Sequence, residues 1–220
     1  MAETVELKKA YPGSTVLSKE PMVAVMEAVV TPEERAYIIE LAANKIERAR
    51  VSLDTEYTFT EGRTGGNCWL RYEVDPVVRR IGERIAQRVG IPLANAESMQ
   101  VIHYGPEQQY KAHYDAYDLS TAKGQRCCRR GGQRLVTGLV YLNEVEEGGA
   151  TAFPKLDIRV EAKPGRMVLF HNTGEDTSKA HPESLHAGTP VIRGEKWAFN
   201  IWFRARPVTE VQRFSQPSRV

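Results

Sequence analysis

Apolar positions recur along this chain at two different periods, and the change from one to the other divides it. In "TPEERAYIIELAANKIERAR", Ile38, Leu41, Ala42 and Ile46 fall three and four residues apart, the spacing of one helix face. Thr31 can cap, Pro32 suits a first helical position and Glu34 completes a capping box, so a helix is expected from about Pro32 to Arg48. "DPVVRRIGERIAQRVG" repeats the logic, with Asp75 as cap, Val78, Ile81, Ile85 and Val89 as the stripe and Gly90 as the stop. From about Glu97 the texture shifts to short β-rich runs: "SMQVIHY", "QQYKAHY", "RLVTGLVYL", "TAFP", "LDIRVEA", "MVLFHN" and "KWAFNIWFR". The connections between them are too short for crossover helices, which argues for an antiparallel sandwich or barrel. The expected organisation is one α+β domain over residues 1–220, with helical support at about 31–90, a β core at about 97–206 and a polar tail at 208–220. The segment from Asp118 to Gln133 is the least regular inside the core and reads as a solvated loop.

The last β run alternates without a break. Trp197, Phe199, Ile201 and Phe203 fall on one face, and Lys196, Ala198, Asn200, Trp202 and Arg204 on the other. The first set reads as core; the second can line a pocket. A lysine turned inward among apolar neighbours needs an anionic partner, because burying an unpaired ammonium is expensive.

Composition narrows the function classes. A chain of 220 residues, 41% of them hydrophobic, can bury one substantial core, so a single domain is expected. A formal net charge of +2 supplies no general field for nucleic acid or anionic lipid, so neither is an expected partner. No run approaches the roughly 18 apolar residues of a membrane-spanning helix, and the first residues lack a signal-peptide core, so a cytoplasmic protein is expected. Cys68, Cys127 and Cys128 are odd in number and lack zinc-finger spacing, consistent with reduced thiols.

The candidate chemistry lies in "KAHYDAYD". Side chains two apart on a strand share a face, so His113 and Asp115 can hold one ion. An imidazole and a carboxylate are two thirds of the facial triad that leaves open positions on a non-haem Fe(II). The third ligand must come from His103, His171, His181 or His186. His186 stands out because Lys196, ten positions on (196 − 186), opens the alternating strand.

The order "HYD", then His186, then Lys196 closely resembles the 2-oxoglutarate and Fe(II)-dependent dioxygenases of the prolyl 4-hydroxylase family, as do "VIHYGPEQQYKAHYD", "GLVYLNEVEEGGATAFPKL" and "SLHAGTPVIRGEKWAFNIW". "EGRTGG" around Arg63 resembles that family's mobile loop more loosely. The resemblance implies a jelly-roll, cupin-like double-stranded β-helix. It implies His113, Asp115 and His186 as iron ligands, and Lys196 as anchor of the distal carboxylate of 2-oxoglutarate with help from Tyr104 and Thr151. Tyr110, Arg134 and Trp202 match positions that line the family's peptide groove, and the loop at Arg63 and Thr64 would close over it. The implied cofactors are Fe(II), 2-oxoglutarate and O2, with ascorbate as reductant. The implied partner is a proline-containing peptide or protein, and the enzyme a monomer or homodimer. Hydroxylation of a free amino acid or of another side chain is the nearest alternative. A non-catalytic β-sandwich module would have little use for the ligand set, and a zinc hydrolase would leave Lys196 unexplained.

Overall fold

A computed structural model describes residues 5–52 and 57–208, so the tail expected at 208–220 lies outside the described residues from 209 onward. Two sheets face each other as a double-stranded β-helix. In the larger, eight strands run in the order Thr15–Lys19, Met22–Met26, Met167–His171, Arg134–Tyr141, Lys196–Arg204, Met99–Tyr104, Gly66–Leu70 and Glu47–Arg48, each pair of neighbours antiparallel. The smaller has Ile158–Val160, Thr151–Phe153, His186–Gly188 and Tyr110–His113.

The alternation of the Lys196–Arg204 strand determines what each face of the large sheet meets. Trp197, Phe199, Ile201 and Phe203 join Ile38 and Ala42 of helix α1 (Pro32–Ala43) and Val78, Ile81, Ile85 and Val89 of helix α2 (Pro76–Val89) in one apolar core. Each such large apolar side chain, fully buried, contributes roughly 1.5–3 kcal/mol. Ala198 on the opposite face joins Ile102, Tyr104, Leu139 and Tyr141 against Phe153 and Val160 of the small sheet. The helices support one side, and the site opens on the other.

Both helices start as their sequences dictate. Thr31 accepts from Glu34 N while the Glu34 carboxylate accepts from Thr31 N, and Asp75 Oδ1 accepts from Val77 N and Val78 N. Glu34 also receives both terminal nitrogens of Arg84, a bidentate pair that fastens α1 to α2. Gly90 ends α2 in the left-handed region at φ 78°.

Three expectations change. Helix α1 stops at Ala43 and not near Arg48: Ile46 leaves the helical stripe to pack over Gly66, and Glu47–Arg48 pairs with Gly66–Asn67 as a sheet edge. The sheet also recruits Thr15–Lys19, Met22–Met26 and Gly66–Leu70, so strands lie in the first 90 residues as well as helices. The Asp118–Gln133 segment contains a third helix, α3 (Ala122–Cys128), capped by Thr121, and is no open loop. Buried Gln133 anchors it, with its amide bonded to Tyr117 N, Tyr117 O and Thr177 O.

Candidate active site

The small sheet places His113 directly opposite His186. Asp115 lies two residues further on, just past the strand end, so a turn and not strand alternation brings its carboxylate back. The candidate ligand atoms of His113, Asp115 and His186 all lie within 4.8 Å of one another. His113 Nε2 is 3.7 Å from Asp115 Oδ1, and His186 Nε2 is 3.6 Å from Asp115 Oδ2. Neighbouring groups set the orientation of each side chain. His113 Nδ1 bonds the Lys111 carbonyl at 2.8 Å and His186 Nδ1 the Ser184 carbonyl at 2.9 Å, so in each ring the proton sits on Nδ1 and the Nε2 lone pair faces inward. Thr137 donates to Asp115 Oδ2 at 2.8 Å, and Asn172 Nδ2 donates to Thr137 at 2.9 Å.

Electrostatics keep these groups in their metal-binding forms. Burial, reinforced by the neighbouring His186, pulls His113 down to about 3, so its ring is neutral. Burial pushes Asp115 up, but the two histidines, helped by Arg134 and the Trp202 indole, outweigh it and hold the carboxyl down to about 2. Two imidazoles with an ionised carboxylate fit a divalent cation of the non-haem iron type.

Lys196 sits on the large sheet in register with Tyr104. It is 2% exposed, and no carboxylate lies within ion-pair distance among the described residues. Its ammonium rests 5.2 Å from the Tyr141 ring and 6.0 Å from the Tyr104 ring, while burial lowers its pKa to about 7. The Tyr141 hydroxyl lies 2.6 Å from Thr151 Oγ1 and also donates to the Val160 carbonyl at 3.1 Å. A buried cation beside hydroxyl groups is complementary to a carboxylate. The residues present fit both a metal and an anionic cosubstrate.

A row of planar groups lines the remaining side. The Arg63 guanidinium lies 4.7 Å from the Tyr110 ring, and that ring stacks on His113 at 3.5 Å and 19°. Arg63 is buried and donates to Gln100 Oε1. Trp202 lies 6.0 Å from Trp69 and takes the Arg134 guanidinium on its face at 3.9 Å. Arg134, however, gives its polar edge to Glu97 in a bidentate pair at 2.6 and 2.8 Å, so it faces the groove through Trp202 and not as a free cation.

Tyr104 lies near Lys196, Thr151 meets Tyr141 beside it, Tyr110 stacks on His113, and Arg63 and Trp202 line the wall, Arg63 packed into it. The other histidines stay outside the cluster: His171 bonds the Tyr11 hydroxyl at 2.8 Å, His181 caps the turn at Glu183, and His103 pairs with Glu195. Thr137, Asn172, Tyr141 and Glu97 were not singled out by the sequence, because each acts through a hydrogen bond that only the pairing of distant strands creates. A cavity of 490 Å³ bordered by Ile46, Arg48, Thr64 and His103 contains no member of the triad.

A two-histidine, one-carboxylate cluster inside a double-stranded β-helix, facing a buried lysine, defines an iron and 2-oxo-acid oxygenase. Residues 99–204 match the family model of the 2OG-Fe(II) oxygenase superfamily. The chain is 35% identical over 182 residues to a putative prolyl 4-hydroxylase of Acanthamoeba polyphaga mimivirus, covering 83% of this chain and 74% of that one. It is 34% identical over 210 residues to probable prolyl 4-hydroxylase 10 of Arabidopsis thaliana, covering 86% and 71%. The solved viral collagen prolyl hydroxylase of Paramecium Bursaria Chlorella virus-1, in its 2OG complex, superposes with a TM-score of 0.67 at 29% identity, covering 83% of this chain and 96% of that one. A Trichoplax adhaerens prolyl hydroxylase, at 14% identity and a TM-score of 0.58, shares the fold. The chain belongs to the prolyl 4-hydroxylase family of 2OG-Fe(II) oxygenases.

Proposed function

We propose that the protein hydroxylates a prolyl residue in a peptide or protein, consuming one O2 and converting 2-oxoglutarate to succinate and CO2. The observation that carries the reading is the pairing of the His113, Asp115 and His186 cluster with an ammonium, Lys196, that is buried with no counter-ion among the described residues. The three ligands would hold Fe(II) from one side. When bound, the iron supplies dioxygen activation and 2-oxoglutarate supplies the reducing electrons. Lys196 receives the distal carboxylate, and Tyr104 and Thr151 complete that end. Thr137 keeps Asp115 turned toward the metal. Arg63, Tyr110 and Trp202 hold the target ring and exclude water, and Arg134 positions Trp202. Ascorbate serves as the reductant that keeps iron ferrous. Action in the cytoplasm belongs to the same proposal, supported by three buried cysteines that form no disulfide.

The test is mass spectrometry of a proline-rich peptide incubated with protein, Fe(II), 2-oxoglutarate, ascorbate and air, beside an iron-free control. One oxygen added to proline, lost in His113→Ala, is expected. Succinate release without a modified peptide would keep the oxygenase and overturn the prolyl substrate. Unchanged turnover in His113→Ala would overturn the ligand assignment.

A further inference from the structure

Asn200 sits in the centre of the strand that carries Lys196 and Trp202 and shares their face. It is 9% exposed, yet its side-chain amide hydrogen-bonds no other group among the described residues. Its amide is not among the polar atoms sealed from solvent without a partner, so it keeps a small opening through which an external group can bond it.

Its neighbours indicate which one. Four residues, or about 13 Å of strand, separate Asn200 from Lys196, whereas only two separate it from Trp202. Its register partner Gln100 receives the Arg63 guanidinium. Asn200 therefore belongs to the side of Arg63 and Trp202, away from the Lys196 end. Arg63 also carries a buried nitrogen, Nε, with no hydrogen-bond partner, whereas the Trp202 indole N–H is turned toward the Asp115 carboxylate and helps to hold its charge. Trp202 is 5% exposed and Arg63 7%. The guanidinium N–H groups can only donate, and the Asn200 amide adds two more protons. A proline-rich segment is the complementary chain: its prolyl residues have no N–H, and its extended left-handed form makes no internal hydrogen bonds, so it presents carbonyl oxygens and few donors.

We propose that Asn200 is a substrate-binding residue whose amide donates to a backbone carbonyl flanking the target prolyl ring, in a donor-rich wall with Arg63 that selects for segments poor in N–H. The inference rests on the prolyl-peptide reading above and adds how the backbone is recognised.

The test is binding, measured without turnover. Protein loaded with Mn(II) and 2-oxoglutarate is titrated in the absence of oxygen with a proline-rich peptide. The same peptide is then titrated with a thioamide, a weak acceptor, replacing the carbonyl on either side of the target proline. Wild-type protein should bind one thioamide about tenfold more weakly than the parent peptide, while Asn200→Ala should bind both with the same reduced affinity. Binding of 2-oxoglutarate should be unchanged in Asn200→Ala. Asn200→Leu, which fills the volume without a donor, gives the same comparison if the alanine variant fails to fold. An undiminished thioamide penalty in the variants, or no penalty at either carbonyl in wild type, overturns the role of Asn200 while leaving the prolyl substrate intact. Weakened 2-oxoglutarate with unaltered peptide binding reassigns Asn200 to the cosubstrate and overturns the proposal. Failure of the parent peptide to bind wild-type protein overturns the prolyl-peptide reading and this inference with it.

Discussion

Thr137 donates its hydroxyl proton to Asp115 Oδ2 across 2.8 Å, and Asn172 fills the acceptor side of the same hydroxyl. Because the metal would take the carboxylate from the other side, Thr137 controls the direction of Asp115 without touching the ion. Outer-shell partners of this kind are worth about 10–100-fold in metal affinity. Thr137→Val, which keeps the shape and removes the proton, should therefore weaken Mn(II) or Fe(II) binding by about tenfold with the fold retained. Titration of the metal-free protein measures this, and an unaltered affinity would show that the hydrogen bond is only structural.

Lys196 makes two opposite demands on the protein. It must be charged to hold a carboxylate, yet burial lowers its pKa to about 7. Between that value and the ordinary value near 10.4, the unfolded chain carries a proton that the native chain lacks. Native stability without ligand therefore rises with pH across this window, and the cost of burying the charge is fully present below about pH 7. Lys196→Met should be more stable than wild type at low pH, by a margin that narrows as pH climbs from about 7 toward 10. It should also bind 2-oxoglutarate at least about a hundredfold more weakly and retain its iron. At pH 8 the wild-type protein should take up a proton on binding 2-oxoglutarate, which calorimetry in buffers of different ionisation enthalpy reads directly. Binding with no proton uptake would refute the role of Lys196.

Glu97 joins two cations inside the molecule. It pairs with Arg134 on two oxygens and with Arg204 at 2.8 Å, while Arg204 Nη1 reaches the carbonyls of Cys127, Arg130 and Gly132. The groove tryptophan, the end of α3 and the last long strand thus depend on one carboxylate. Burial pushes the Glu97 pKa up, but the two arginines outweigh it and leave it below the ordinary value. Its contribution is present above about pH 4.3 and is lost as pH falls through the depressed native value. Glu97→Gln should cost about 3 kcal/mol at pH 7, because two guanidinium groups lose their counter-charge, and the loss should shrink in acid. Urea unfolding at pH 7 and at about pH 2 gives both numbers; equal losses at the two pH values would contradict the charge argument.

How much of the molecule the sequence made legible depends on the range of each signal. Helix α2 could be read nearly residue by residue because its cap, stripe and glycine stop lie within sixteen consecutive positions. The alternation of Lys196–Arg204 separated the two faces of the strand because side-chain parity is a local property. Asp115 belongs to the expected cluster for a partly different reason: the strand ends at His113, and a turn completes the approach. Met22–Met26 escaped notice because it is buried on both faces, between Thr15–Lys19 and Met167–His171, and so shows no alternation. Helix α3 was hidden because it has no apolar stripe; Arg204, from a strand distant in sequence, holds its end through the Cys127 carbonyl. Asn200 lies on the pocket face as its parity requires, but its lack of a partner is visible only when every neighbouring strand is in position.

Gly65 gives the last prediction. A Cβ there would lie 2.4 Å from the Tyr104 ring and 2.7 Å from the His103 carbonyl oxygen, both closer than any relaxed contact. The ring could turn aside, but the carbonyl is backbone in the Met99–Tyr104 strand and cannot move without disturbing the pairing with Lys196. Gly65→Ala should therefore cost about 1–3 kcal/mol by overpacking, and the damage should fall on the cosubstrate end of the site. The expected pattern is a raised KM for 2-oxoglutarate, with Mn(II) affinity unchanged because His113, Asp115 and His186 lie on other strands and turns. Thermal unfolding, metal titration and steady-state kinetics on the same preparation separate these effects. A variant as stable as wild type with an unaltered KM would mean that the Tyr104 ring moves freely and does not shape the pocket.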